Sequence, residues 1–355
     1  MTLLESAVDS ALEACVIPGF SRIGQAVRSR LLPEFTNPEF SGDMPPAGKV
    51  VLITGATSGI GYAAAVALAR QGAIVHFLAR DRSRAERARR GIAAASGSAN
   101  VSYGLADLED LDAVRAFARR FRAAHDRLDV LIHNAGAIHP EFRTDAAGTE
   151  LTIAGQVVAP FLLTRLLVPA LLTAAPSRVI TVSSGGMYTQ RLDLATLQLP
   201  AARYRGVTAY ARAKRAQVAL SREWARRFAG TDIAFHAMHP GWVDTPGVTA
   251  ALPGFHQIMR PVLLSPEQGA DTIVWLASAP HARLGSGLFW HDRRVRPEYA
   301  LPWTREKTPA ATRELWDHLD AMTAADPPGR PGRGRPGASG EQAPSGVSGR
   351  RVGQG

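Results

Sequence analysis

With 355 residues and 46% hydrophobic content, the chain is long enough for one large domain or two small ones around a buried core. Its net charge of +10 comes almost wholly from Arg, with Lys only at 49, 214 and 307, and the Arg residues scatter along helix-like segments such as 81–90 and 119–127. That pattern describes solvated helix faces and excludes a concentrated nucleic-acid stripe. Cys15 is the single cysteine, which rules out an internal disulfide and a disulfide-stapled secreted fold and suits a reducing, cytoplasmic compartment.

In chain order, residues 1–45 come first. Leu3, Leu4, Val8, Leu12 and Val16 recur at helical spacing before Pro18 and Gly19 interrupt them. The spacing predicts an N-terminal helical extension, packed on the domain's own flank or docked on a membrane surface or partner. Beyond it, short β-rich runs at 50–54, 74–79, 101–104, 130–134, 179–183, 233–238 and 288–290 alternate with longer helix-like segments. Several runs are apolar throughout, as strands covered on both faces are. Strands separated by helices predict right-handed crossovers and a doubly wound parallel sheet of about seven strands, one Rossmann-like α/β domain over 46–300. A helical extension is expected at 301–326. Residues 327–355 are dominated by Gly, Pro, Ser and Arg and are expected to be disordered. No apolar run reaches the roughly 18 residues a membrane span needs.

The first run, KVVLIT, leads into TGATSGIG at 54–61 and then into the helix-like AAAVALARQG. Gly55, Gly59 and Gly61 let the backbone turn tightly and approach a pyrophosphate, which is favoured at the N-terminus of the helix that follows. At the end of the second run, Ala79 stands where an NAD-selective site wants a carboxylate, and Arg80 follows it. A guanidinium there favours a 2′-phosphate, so NADP(H) is expected in preference to NAD(H). Arg82 and Arg84 either assist or are simply solvated. Asp107 and Leu108, after the third run, are placed to border the adenine ring.

The fifth run ends in Ser183, Ser184, Gly185 and Gly186, and YARAK places Tyr210 and Lys214 on one helix face. A phenol with a free pKa near 10 is a weak acid or base at neutral pH. A cation about 4 Å away is worth roughly 4 kcal/mol at an effective dielectric of 20, so Lys214 is expected to lower the Tyr210 pKa. Tyr210 would then exchange a proton with a substrate oxygen held by Ser184 while hydride moves to or from a nicotinamide.

TGATSGIG, HNAG at 133–136, VSSGG, YARAK and HPGWVDTPG at 239–247 occur in the order and spacing of the short-chain dehydrogenases/reductases, which the chain resembles over about 48–295. The stretches ITVSSGGM, YxxxKR after a long gap, and HPGWxDTPGVxxxxPGFH resemble most closely a subgroup of that family whose substrate is poorly defined. The resemblance implies a carbonyl or alcohol substrate and a nicotinamide site lined by Gly55, Thr57, Ser58, Gly59, Ile60 and Gly61. To these it adds Asn134, Ala135 and Gly136, then Pro240, Gly241, Val243 and Thr245, with Tyr210 and Lys214 touching the cofactor as well. It also implies that Ser184 rather than Ser183 is the catalytic serine. No metal site is expected, and self-association is left open.

Two residues depart from the family pattern. His133 replaces the first Asn of the usual NNAG, and Gln156 occupies the place of the fourth catalytic residue, an Asn whose main-chain carbonyl is freed by a helix kink and holds a water near the lysine. Pro160 has no N–H to return to the Gln156 carbonyl, so a kink and a free carbonyl are expected here too, and with them a backbone relay to Lys214. The opposing reading is a degraded site. Leu252, Phe255, Ile258 and Met259 form an apolar lid over the nicotinamide or pack on the sheet edge. Two other functions compete: a non-catalytic nucleotide-binding or scaffolding protein, and a sugar-nucleotide epimerase or dehydratase. The second is disfavoured by the TGxxxGxG spacing.

Overall fold

The computed structural model describes residues 3–36, 46–306 and 310–324. The segment expected to be disordered, 327–355, lies outside them. The strands are β1 (Val50–Thr54), β2 (Ile74–Ala79), β3 (Val101–Leu105), β4 (Val130–His133), β5 (Ser177–Val182), β6 (Ile233–Met238), β7 (Leu288–His291) and β8 (Arg294–Val295). They form one sheet in the order β3-β2-β1-β4-β5-β6-β7-β8, and all pairings are parallel except the last. The protein is thus a single doubly wound α/β sheet with one strand beyond the expected seven. β8 follows a two-residue turn in which Asp292 and Arg293 both have positive φ. That is the backbone a tight hairpin requires, without the Asn-Gly or Asp-Gly signal that would have announced it.

Every residue of β1, β5 and β6 is buried, because helices cover both faces. Gly59–Arg70, Arg82–Ser96 and Pro266–Ser278 close one face over Ile53, Val75 and Ile132. Leu111–Ala124, Leu151–Ala174, Gly206–Arg227 and Ala310–Thr323 close the other over Leu52, Leu131 and Phe235. Leu151–Ala174 corrects the expectation that no apolar run is long enough to span a bilayer: by length and composition this helix is. Here it is a core helix, with Leu162, Leu163 and Leu167 fully buried.

The strand order reverses between β1 and β4, so a crevice opens at their carboxyl ends, where ligands bind in open α/β sheets. Both TGATSGIG and HNAG begin at that edge.

The N-terminal helix Leu3–Ala14 and the helix Arg22–Leu31 dock on the other edge, beside β7 and β8. Buried ion pairs join them to this edge. Asp9 meets Arg28, Arg294 and Arg296 at 2.8, 2.8 and 2.7 Å, and Arg28 also reaches Asp292 at 2.8 Å. Burial would raise the Asp9 carboxyl, but the Arg296 and Arg28 guanidiniums overcome it and hold the pKa at about 2.

Candidate active site

Close backbone approach explains the glycines of 54–61. Gly55 has φ +73°, and a Cβ there would lie 2.8 Å from Ala135 Cα; one on Gly61 would lie 2.3 Å from Asn134 Nδ2. Asn134 Nδ2 donates to the carbonyls of Thr54 and Gly55, each at 3.1 Å. The amides of Asn134 and Ala135 in turn donate to Thr54 Oγ1 at 3.1 and 3.0 Å. The loops after β1 and β4 are therefore stitched into one floor. Ser58 precedes the helix Gly59–Arg70 without a side-chain cap bond. The first amides of that helix are thereby left to a ligand, which suits a phosphate group.

At the end of β2, Arg80 is exposed and Ala79 is buried. The carboxylate that follows, Asp81, accepts the Arg84 N–H at 2.7 Å and the Ser83 hydroxyl at 2.8 Å, so it caps the helix Arg82–Ser96. Asp107 accepts the Glu109 N–H at 3.1 Å, and Leu108 packs partly buried on the core.

The helix Gly206–Arg227 carries Tyr210 and Lys214 toward the end of β5. Ser184 faces the Tyr210 hydroxyl and acts to lower its pKa, but burial raises it more. Lys214 Nζ lies 5.3 Å from the Tyr210 ring centroid and donates to the Val182 carbonyl at 2.8 Å. Burial lowers its pKa to about 7. The expectation that Lys214 depresses the Tyr210 pKa is therefore overturned: desolvation governs both groups, and the lysine loses much of its own charge near neutral pH. Ser183 is turned away, its hydroxyl donating to the Lys214 carbonyl at 3.0 Å.

Gln156 lies in a π-helical turn, Ala154–Val158, inside the long core helix, and the Ala159 N–H bonds back to the Ala154 carbonyl. Pro160 has no N–H to return to the Gln156 carbonyl, and the Gln217 side chain donates to that carbonyl at 2.6 Å. Its partner from the neighbouring helix is thus a side-chain amide. The Gln156 side chain donates to the Ala137 carbonyl at 2.6 Å. A Cβ on Gly136 would lie 3.0 Å from Gln156 Oε1 and 3.2 Å from Lys214 Nζ, so Gly136 is the gap across which these groups meet. A small cavity lined by His133, Gln156, Thr164, Gln217 and Ser221 lies among core side chains such as Phe161 and Trp224.

The loop after β6 supplies the remaining expected residues. Gly241 has φ +75°, and its N–H reaches His239 Nδ1 at 3.3 Å beside Pro240. Val243 is buried: a Cβ on Gly269 would lie 2.5 Å from Val243 Cγ2 and 3.4 Å from Ile60 Cγ1. Thr245 caps the helix Pro246–Ala251 through Val248 N–H, and a Cβ on Gly59 would meet its methyl at 3.3 Å. Of the expected lid, Phe255 stands edge-on to Trp242 at 5.3 Å, whereas Ile258 is 78% exposed and lines nothing.

A profile of the short chain dehydrogenases matches residues 49–253. The Bos taurus dehydrogenase/reductase SDR family member 12 is 41% identical over 277 residues, covering 78% of this chain and 86% of its own. This chain belongs to the short-chain dehydrogenase/reductase family. Mus musculus retinol dehydrogenase 14 is 35% identical over 293 residues, with 78% and 86% of the two chains covered. Among solved structures, an uncharacterized Mycobacterium paratuberculosis protein superposes with a TM-score of 0.61 at 29% identity, covering 80% of this chain and 96% of its own.

Against the family pattern, His133 is a buried neutral link: Nε2 meets Thr164 Oγ1 at 2.7 Å, and burial, helped by the charge of Lys214, pushes its pKa to about 3. Sequence reasoning missed Gln217. It stands three residues beyond Lys214 and seven beyond Tyr210 on the same helix face, and that spacing was the available signal.

Proposed function

We propose that this short-chain dehydrogenase/reductase is an NADP(H)-dependent oxidoreductase that interconverts an apolar carbonyl and its alcohol. The observation that carries the reading is the convergence of Tyr210, Ser184 and Lys214, whose Nζ lies 5.3 Å from the phenol ring centroid, beside the stitched glycine loop. The uncapped helix start at Gly59, the close approaches at Gly55 and Gly61, and the Asn134 bonds fit a dinucleotide pyrophosphate. When bound, the nicotinamide supplies or accepts the hydride.

The protein's own groups do the rest. Ser184 donates to the substrate oxygen and orients it against Tyr210. Burial keeps the Tyr210 proton in place, which is the state carbonyl reduction requires, and the phenol gives that proton to the oxygen as negative charge develops there. Lys214, held by the Val182 carbonyl 5.3 Å from the phenol ring centroid, completes the polar end of the pocket beside Tyr210. Arg80, exposed after β2, suits a 2′-phosphate, and Asp81 is already committed to a helix cap rather than free for a ribose hydroxyl. The apolar surface of Trp242 and Phe255, together with the likeness to a retinol dehydrogenase, favours a hydrophobic substrate.

The test is a set of carbonyls headed by all-trans-retinal, incubated with NADPH and followed by loss of NADPH absorbance. Turnover of at least one apolar carbonyl is expected. A purified, NADPH-binding protein inert toward the whole set would favour the scaffolding reading instead.

A further inference from the structure

Residues 1–48 lie outside the 49–253 match. One of their side chains nevertheless reaches between two loops that bound the site. Phe20, in the connection between Val16–Gly19 and Arg22–Leu31, is only 5% exposed. On one side its ring occupies the space that Gly185 leaves open: a Cβ on Gly185, the neighbour of Ser184, would lie 2.9 Å from Phe20 Cε2. On the other side the ring stands edge-on to His239 at 4.6 Å and to Trp242 at 6.1 Å.

The Phe20 carbonyl accepts the Trp242 N–H at 2.7 Å, and a Cβ on Gly241 would lie 2.8 Å from that same oxygen. The β5–β6 ladder extends as far as Ser183 N–H to the Met238 carbonyl at 2.6 Å, and beyond it Phe20 stands between Gly185 and His239. The wedge is braced from behind. Arg28 donates to the Gly19 carbonyl at 2.7 Å while paired with Asp9 and Asp292, and Gln25 and Arg22 reach the carbonyls of Gln268 and Pro261 at 3.1 and 3.3 Å.

We propose that Phe20 is a positioning residue: it wedges the Ser184–Gly186 loop and the Trp242–Thr245 loop at one separation and so holds the reacting end of the site at a set width. The inference rests on the function proposed above, because these loops carry the hydroxyl that orients the substrate and the chain beside the nicotinamide. A buried aromatic ring is suited to the task, being stiff and in contact on both sides, and a misplacement of about 1 Å is enough to lower turnover by orders of magnitude.

Amide hydrogen exchange on the ligand-free protein tests the wedge without a substrate. Phe20→Ala should raise exchange by about 10-fold in peptides covering 184–188 and 240–245 and leave β2 and β3 unchanged, while Phe20→Leu stays within about threefold of wild type. Gly185→Ala, which drives a methyl group into the ring, should loosen the same two peptides if Phe20→Ala does not fold. Unchanged loops, or a uniform rise across the sheet, would overturn the proposal. With NADPH and all-trans-retinal, Phe20→Ala should lower kcat by about 10-fold with KM for NADPH within about twofold, and Phe20→Leu should restore most of the loss. Loosened loops with kcat unchanged would also overturn it. If wild type leaves retinal untouched, the substrate reading has failed, and the exchange comparison alone decides the wedge.

Discussion

Lys214 lies 5.3 Å from the centre of the Tyr210 ring, yet the phenol holds its proton more tightly than a free tyrosine. The two groups share one desolvated pocket, and burial disfavours the charged form of each, so the lysine cannot act as the full point charge that its spacing in the sequence suggests. Arg80 is the opposite case, an exposed guanidinium with no competing burial. If it contacts a 2′-phosphate through a charge-assisted hydrogen bond, wild type should bind NADPH at least about 10-fold tighter than NADH, close to 1.4 kcal/mol. Arg80→Ala should shrink that gap. Equal affinities of wild type for the two cofactors in a fluorescence titration would remove the assignment.

The π-helical turn Ala154–Val158 shows what a single proline does to an element. Pro160 offers no N–H to the Gln156 carbonyl, the helix widens to a π turn, and Gln217 from the next helix donates to that carbonyl at 2.6 Å. Gln217→Leu leaves that buried carbonyl without its donor. It should lower unfolding stability by about 1–3 kcal/mol in denaturant, while Ser221→Ala on the same helix stays within about 1 kcal/mol. Equal stability of Gln217→Leu and wild type would mean the carbonyl finds another partner.

The free carbonyl was legible in the sequence, because the i to i+4 offset between Gln156 and Pro160 is local chemistry. Its partner was not, since Gln217 is distant along the chain and meets it only after both helices pack on the same sheet face. The same division holds elsewhere. The glycine loop, the strand runs and the Tyr210–Lys214 spacing are written in short stretches and could be read. β8 depends on a turn built from Asp292 and Arg293, and the docking of Leu3–Ala14 depends on Asp9 finding arginines from the other end of the chain. The apolar stripe of that helix gave no hint of these ion pairs.

Across the whole molecule, buried bases set the pH dependence. Burial lowers His133 and His236 to about 3 and His76 to about 4, while an unfolded histidine titrates near 6.5. Below pH 6.5 the unfolded chain binds more protons than the native one, so stability rises with pH across this window and falls as acid is added. Lys214, lowered to about 7 from 10.5, has the same sign over the next window. Denaturant unfolding should therefore give a stability larger at pH 8.5 than at pH 6, and larger at pH 6 than at pH 5. A maximum below pH 6 would contradict this description of the interior.

The chemistry itself rests on Tyr210, and comparing the turnover of all-trans-retinal with NADPH by wild type and by Tyr210→Phe tests it most directly. The substitution removes the transferable proton and keeps the ring. Turnover is expected to fall by roughly 10² to 10⁴, with NADPH affinity nearly unchanged. Wild-type turnover by Tyr210→Phe would show that the proton comes from elsewhere.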